Sequence, residues 1–230
     1  MEPSKNRTSV KKGKMITIIG ASKGLGKLFH EYLLSAEYDK EYPLYLVSRE
    51  DGINLNDDKE YKHVIDLCAD SQIVFNNAPA NMQLDIVYDT IYNTSHVSPK
   101  DWVHVGSQMT DVIKDAKAEG MEYISNKQLY ADFIRSEINK FGVHSVKHES
   151  LQRHCLLSLG AVETNQIEDM FKRLGIEMID RAYMYRLWDF IFDTPQDYCL
   201  GEIRLVPDQY INPDCNDDFE FRRHLKKYQK

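Results

Sequence analysis

Tyr123 and Lys127 stand four residues apart in the segment YISNKQLY. On a helix, residues i and i+4 share a face one turn apart, so a phenol and an ammonium at this spacing can point into one cleft. A free phenol titrates near pH ~10 and exchanges protons poorly at neutral pH. A neighbouring ammonium stabilises the phenolate, and the pair becomes a candidate proton donor and acceptor. The competing reading is an ordinary amphipathic helix start. The chain holds 14 tyrosines, and Tyr38 near Lys40 and Tyr61 beside Lys62 show that Tyr–Lys neighbours also arise without such a context.

A second candidate lies near the N-terminus, in ITIIGASKGLGKLF. An apolar run ends at Gly20 and a helical pattern begins near Gly24 and Gly26, spaced G-x-x-x-G-x-G. Glycine suits a turn whose backbone must approach a ligand closely. The free N–H groups and positive dipole end of the following helix suit a pyrophosphate. Gly20, Ser22, Lys23, Gly24, Leu25 and Gly26 are therefore candidate cofactor-binding residues. A plain strand–turn–helix also uses glycine; the position after the first strand of an alternating chain favours the dinucleotide reading. At the end of the second apolar run, LYLVSRED places Ser48 and Arg49 where the cofactor's ribose is read. An acidic residue there binds the 2′-hydroxyl of NAD, whereas Arg suits the 2′-phosphate of NADP. Arg49, with Lys23 as a second positive charge, predicts NADP(H) over NAD(H). The alternative makes Arg49 a solvated loop residue paired with Glu50 or Asp51.

The elements that must position these residues alternate. Apolar runs at Met15–Ile19, Leu44–Val47, Ile73–Phe75, Trp102–Val105, Cys155–Leu159 and Gly201–Val206 read as strands. Helical spacing covers Leu25–Ser35, Lys59–Leu67 and about Tyr123–Lys140. Strands alternating with helices predict an α/β fold, a doubly wound Rossmann-type domain with a parallel sheet flanked by helices. The expected domain spans 15–212, after a polar, basic and disordered leader at 1–14 and before a polar tail at 213–230. With 230 residues and 42% hydrophobic content, the chain can bury one substantial core. A net charge of −7 argues against a nucleic-acid partner. The absence of a long apolar run or an N-terminal apolar segment argues against a membrane span or secretory signal. Cys68, Cys155, Cys199 and Cys215 form no C-x-x-C pair and read as reduced thiols, which predicts a cytoplasmic protein.

In this order the boxes resemble the short-chain dehydrogenase/reductase family. The glycine loop is similar to its TGxxxGxG, with Ile19 in place of Thr. Asn76-Asn77-Ala78-Pro79 resembles its N-N-A-G, WVHVGSQ places Ser107 at its catalytic serine, and Tyr123/Lys127 match its Y-x-x-x-K. SLGAVET resembles P-G-x-V-x-T, with Leu159 in place of Pro and Gly160, Val162 and Thr164 matching. The resemblance covers 15–206 and implies hydride transfer between a nicotinamide and a small carbonyl/alcohol substrate. It implies that Tyr123 is the general acid/base, that Lys127 holds the nicotinamide ribose, and that Ser107 holds the substrate oxygen. Asn93 would support the proton relay, Asn77 and Ala78 would line the adenosine side, and Thr164 would contact the nicotinamide amide. It also implies a possible homodimer or homotetramer. Departures are Ile19, Pro79, a slightly long connection between Ser107 and Tyr123, and an apparent insertion over Gly142–Arg153.

Two other constellations carry less. His144 and His148, with His154 and Cys155 nearby, have a zinc-like spacing but no H-E-x-x-H glutamate, so no metal site is expected. Tyr183, Tyr185, Trp188, Phe190 and Phe192 read first as core packing and second as a pocket wall. A non-enzymatic dinucleotide sensor on the same fold is the alternative function. The longer sugar-nucleotide-modifying relatives share Tyr-x-x-x-Lys but have G-x-x-G-x-x-G and a larger C-terminal region.

Overall fold

Strand β1 (Ile16–Ile19) is a run of four fully buried, β-branched residues, and it is flanked on both sides by parallel neighbours. The computed structural model describes residues 15–95, 100–107, 122–144, 152–164, 178–194 and 200–205. Beside β1 lie β2 (Leu44–Val47) and β3 (Ile73–Asn76); β4 (Lys100–Val105), β5 (Gln152–Leu159) and β6 (Gly201–Leu205) follow outward. All pairs are parallel, in the order β2-β1-β3-β4-β5-β6. The direction of winding reverses between β1 and β3, and in such sheets ligands bind in the crevice beyond the strand ends at that point. The expected doubly wound parallel sheet is the observed one.

Helices cover both faces. On one, α1 (Gly24–Ser35) and α5 (Arg181–Asp193) bury Leu28, Phe29, Tyr32, Leu33, Met184 and Trp188 against alternate residues of the strands. The rings of Phe29 and Phe75 stack at 4.2 Å, with Trp188 edge-on to Phe29 at 5.1 Å. Trp188, Tyr185 and Phe192 belong to this core, whereas Tyr183 and Phe190 are exposed. On the other face lie α2 (Asp58–Asp70), α3 (Ala80–Tyr92) and α4 (Glu122–His144), which bury Val64, Ile65, Ile86, Val87, Tyr130 and Ile134. Far from the strand ends, Tyr92 donates to Glu137 at 2.8 Å and ties α3 to α4.

The sequence expectation starts two strands late. β4 begins at Lys100 and β5 at Gln152 because their polar first residues are neutralised across the sheet. Arg153 pairs with Asp101, its register partner, and Trp102 Nε1 donates to Gln152 at 2.8 Å. Lys100 reaches the carbonyls of Cys68 and Ala69 at the end of α2. Of the expected insertion at Gly142–Arg153, α4 takes the residues through His144 and β5 those from Gln152, and 145–151 lie outside the described residues. α3 and α5 were not among the expected helices. In α3 two of the four buried positions, Gln83 and Thr90, are polar, which masks the apolar stripe. Cys68 and Cys155 are buried, and Cys199 and Cys215 lie outside the described residues, as do the leader and the tail. No helix among the described residues is long and apolar enough to cross a membrane.

The β1–α1 turn depends on backbone contact. Gly20 has φ +75°, and a Cβ there would lie 2.2 Å from the Asn77 carbonyl oxygen; a Cβ on Gly26 would lie 2.1 Å from the Gly20 carbonyl oxygen. Both obstacles are main chain and cannot rotate away. Gly26→Ala is expected to cost at least ~2 kcal/mol in thermal or urea unfolding. An unchanged melting temperature would contradict this contact.

Candidate active site

The glycine turn opens at the C-terminal end of β1, and α1 starts at Gly24 with Lys23 at its N-cap and no side chain capping it. By contrast, Asp57 caps α2 and Asp180 caps α5. No acidic side chain occupies the first turn of α1. Its free N–H groups and dipole therefore face the crevice at the sheet's winding reversal, an arrangement suited to a pyrophosphate. Gly20, Ser22, Lys23, Gly24, Leu25 and Gly26 all lie on this turn. Asn77 joins it from the end of β3, its N–H bonded to the Ile19 carbonyl at 3.1 Å, and Ala78 is buried beside it. Gly20, Gly26 and Asn77 pack main chain on main chain and hold this turn tight, and it is the uncapped α1 N-terminus beside them that fits a dinucleotide's phosphates.

Beyond β2, Ser48 donates its hydroxyl proton to the Asp51 carboxylate, and Lys23 pairs with Glu50 at 3.8 Å. Arg49 is exposed and forms no ion pair among the described residues. Its alternative reading as a partner of Glu50 or Asp51 is thus not the observed arrangement; Lys23 and Ser48 take those carboxylates instead.

Lys127 and Tyr123 open α4. Lys127 is only 4% exposed, and its ammonium donates to the Val105 carbonyl at 2.8 Å, at the end of β4. Tyr123, one turn earlier, is 54% exposed, with its ring centroid 5.8 Å from Lys127 Nζ. Ser107 is half-buried two residues past Val105. The packing of α4 on β4 thus brings Tyr123, Lys127 and the Ser107 segment to the same end of the sheet as the glycine turn. Thr164 is buried in the segment after β5; this segment is held by the parallel bridge of Val162 with Ile179.

Asn93 is not brought there. α3 starts at Ala80, immediately after the crevice, and runs 13 residues away from it, about 20 Å at 1.5 Å per residue. Asn93 ends up exposed at the far end, bonded to Asp89 at 2.6 Å. Of the zinc-like group, His154 points into the core, while His148 and the His144 side chain lie outside the described residues.

The structure adds residues that periodicity concealed. Gln83, fully buried on α3, donates from Nε2 to the Asn76 carbonyl at 2.9 Å and to the Val105 carbonyl at 3.1 Å. Asn76 Nδ2 donates to the Gln83 carbonyl and to the Tyr130 hydroxyl, both at 3.1 Å. Tyr130 accepts that bond, so its own proton goes to His104 Nδ1 at 2.6 Å. His104 is then protonated on Nε2 and donates to His154 Nδ1 at 2.9 Å, an assignment made from the hydrogen-bond network. Burial, with the neighbouring His154, holds His104 well below the usual imidazole range; burial alone takes His154 to about 3. Both rings are neutral at pH 7. The available signal was a polar Gln83 in phase with Ile86, Val87 and Thr90.

Burial also lowers Lys127 to about 7 and raises the Tyr123 phenol above its ordinary value. The expected lowering of Tyr123 by Lys127 is therefore not supplied by the protein's own groups. A buried ammonium near half-protonation is a weak local charge, and partial burial of the phenol outweighs it. Lys100, the other buried lysine, is lowered to about 8 by burial but caps two carbonyls at the end of α2. Lys127 has one carbonyl and no carboxylate among the described residues.

Linkage fixes a sign here. The unfolded Lys127 holds its proton up to about pH 10.4, whereas the folded one releases it near 7. Stability attributable to this group therefore rises with pH between these values. Lys127→Met is expected to stabilise the fold at pH 7 by ~1–2 kcal/mol and to flatten this rise, because Val105 keeps Gln83 as a donor. Urea unfolding of both proteins at pH 7 and 9.5 checks it; an equal slope with pH would refute the buried amine.

No protein-family model matches the sequence, and no curated protein does. The fold does have solved counterparts. A short chain dehydrogenase from Burkholderia cenocepacia in complex with NADP superposes with TM-score 0.56 at 12% identity, over 93% of this chain and 98% of that one. RhlG from Pseudomonas aeruginosa, solved as an NADP active-site complex, gives 0.60 at 14%, over 85% and 94%. The 3-ketoacyl-(acyl-carrier-protein) reductase from Brucella melitensis, complexed with NADH, gives 0.56 at 11%, over 85% and 97%. The chain has the fold of the short-chain dehydrogenases.

Proposed function

We propose that the chain is an oxidoreductase of the short-chain dehydrogenase/reductase family, using NADP(H) to interconvert a small carbonyl and its alcohol. The observation that carries this reading is Lys127. An amine buried on a single carbonyl, with no carboxylate to compensate it, destabilises the fold, and such groups mark functional sites. It lies one turn from an accessible phenol, at the strand ends that hold the glycine cradle. A structural lysine would instead resemble Lys100, spent on a helix end.

When bound, the nicotinamide supplies the hydride chemistry. The chain's residues hold and protonate. Gly20, Gly24, Gly26 and the α1 N–H groups take the pyrophosphate, while Asn77 and Ala78 line the adenosine side. Lys127 turns its remaining ammonium protons to the ribose hydroxyls, and Thr164 holds the carboxamide. Ser107 would position the substrate oxygen, and Tyr123, a neutral phenol at pH 7, would donate to that oxygen during reduction. In the oxidative direction Tyr123 must lose that proton, which the cofactor's positive charge and a protonated Lys127 favour.

We infer a cytoplasmic enzyme, in keeping with the buried free thiol of Cys68. Association into a homodimer or homotetramer would use the outer faces of α3 and α4, where Tyr88 and Leu129 are exposed.

Tyr123→Phe is expected to lower carbonyl reduction by ~10²–10⁴-fold while changing the NADPH dissociation constant less than about two-fold. Retained turnover in this variant would remove the assignment. NADP(H) preference rests on Arg49 and Lys23. Arg49→Ala should weaken NADPH by roughly 10–100-fold and NADH hardly at all. Glu50→Gln, which releases Lys23 from an exposed pair, should tighten NADPH slightly, by about two- to five-fold. Equal changes for both cofactors would point to a general effect on the loop.

A further inference from the structure

We propose that Gln83 is a positioning residue for Lys127, acting through the Val105 carbonyl that both side chains share. The inference rests on the reading of Lys127 as the cofactor-binding lysine. A lysine ammonium is a point charge on a flexible four-carbon stem, so its position is set by its acceptors. Among the described residues the acceptor is Val105 O, at 2.8 Å. That oxygen has two lone-pair directions, and Gln83 Nε2 occupies one at 3.1 Å. Lys127 is left with the other, which confines its ammonium to one side of the carbonyl.

Gln83 is itself fixed. Its second amide proton goes to the Asn76 carbonyl, and its main-chain carbonyl accepts from Asn76 Nδ2. Two carbonyl acceptors on one side orient the amide nitrogen towards them. Gln83 Oε1 is then left without a hydrogen-bond partner in the buried interior. A residue present only to pack would be Leu or Met and would orphan no acceptor. The unsatisfied oxygen accompanies an amide whose two donors are both committed to strand-end carbonyls. Asn76 also binds Tyr130, three residues beyond Lys127 on the same buried face of α4. Both inward polar groups of this turn therefore depend on the Asn76–Gln83 pair.

The test uses Gln83→Met, which keeps length and removes both donors, with Gln83→Asn as a second variant should the first fail to fold. Lys127 is titrated by NMR of ε-labelled lysine, its resonance assigned by its loss in Lys127→Met. Freed of the competing donor, Val105 O accepts more strongly from the ammonium. Lys127 is expected to titrate at least about half a pH unit higher in the variant. An unchanged titration overturns the proposal, whatever the protein catalyses.

NADPH binding is then measured in the wild type, the two single variants and the double variant. Gln83→Met should weaken binding on the order of 10-fold in the wild-type background and less than about two-fold beside Lys127→Met. Equal losses in both backgrounds would mean that Gln83 acts on the fold alone, and the proposal fails. A shifted titration in a protein that binds no NADPH would instead sink the oxidoreductase reading and leave the Gln83–Lys127 link standing.

Discussion

Three stretches of main chain meet where the sheet changes its direction of winding, and the rest of the molecule is arranged around that contact. Gly26 lies against the Gly20 carbonyl, and Gly20 lies against the Asn77 carbonyl, at distances that exclude a Cβ on either glycine. The contact sets the angle at which α1 leaves β1 and the height at which β3 ends beside it. It also leaves the α1 N-terminus uncapped and facing outward. Every group assigned to the cofactor is positioned from this junction. Ser48 and Arg49 follow the neighbouring strand on one side, and the Val105–Ser107 segment follows the strand beyond β3 on the other.

The two faces of the sheet differ in what they bury. The α1–α5 side is aromatic, with Phe29, Phe75, Tyr32 and Trp188 in mutual contact. The α3–α4 side carries a polar strip through its core, from Lys127 and Gln83 through Asn76, Tyr130 and His104 to His154. Buried polar groups are tolerated when hydrogen-bonded, and nearly every member of this strip has a directed partner. The exceptions lie at its two ends: beside Val105 an ammonium with one carbonyl and the Gln83 amide oxygen with no hydrogen bond, and at the far end the Nε2 of His154. The apolar face opposite supplies compensating burial.

Much of the fold was legible in one dimension. The apolar runs at 15–19, 44–47 and 73–75 match β1 to β3 almost residue for residue; β1 and β3 are buried throughout and read as continuous apolar stretches, and the edge strand β2 is apolar in sequence although Tyr45 is exposed. β4 and β5 were read short because Asp101, Gln152 and Arg153 are polar alone and neutral only as cross-strand pairs. Ser107, Tyr123 and Lys127 were named from spacing and order, and the fold brings them to one end of the sheet. Asn93 was named by its place in that order, yet α3 begins directly after Pro79, and its full length carries Asn93 to the opposite end of the sheet. Gln83, a polar residue in an unpromising helix, is the one that reaches β4.

The sequence by itself determined which segments become strands, where the backbone must turn too tightly for a side chain, and which phenol and amine share one helix face. Those are properties of single elements, set by side-chain size, branching and period. Only the tertiary structure decided that Lys127 is buried on the Val105 carbonyl, that Lys23 rather than Arg49 holds Glu50, and that Gln83 shares that carbonyl with Lys127. The physical reason is the range of the interaction. Periodicity records how a residue relates to its own helix or strand. Desolvation and hydrogen-bond geometry depend on which groups from other elements come within about 3 Å, and packing alone settles that.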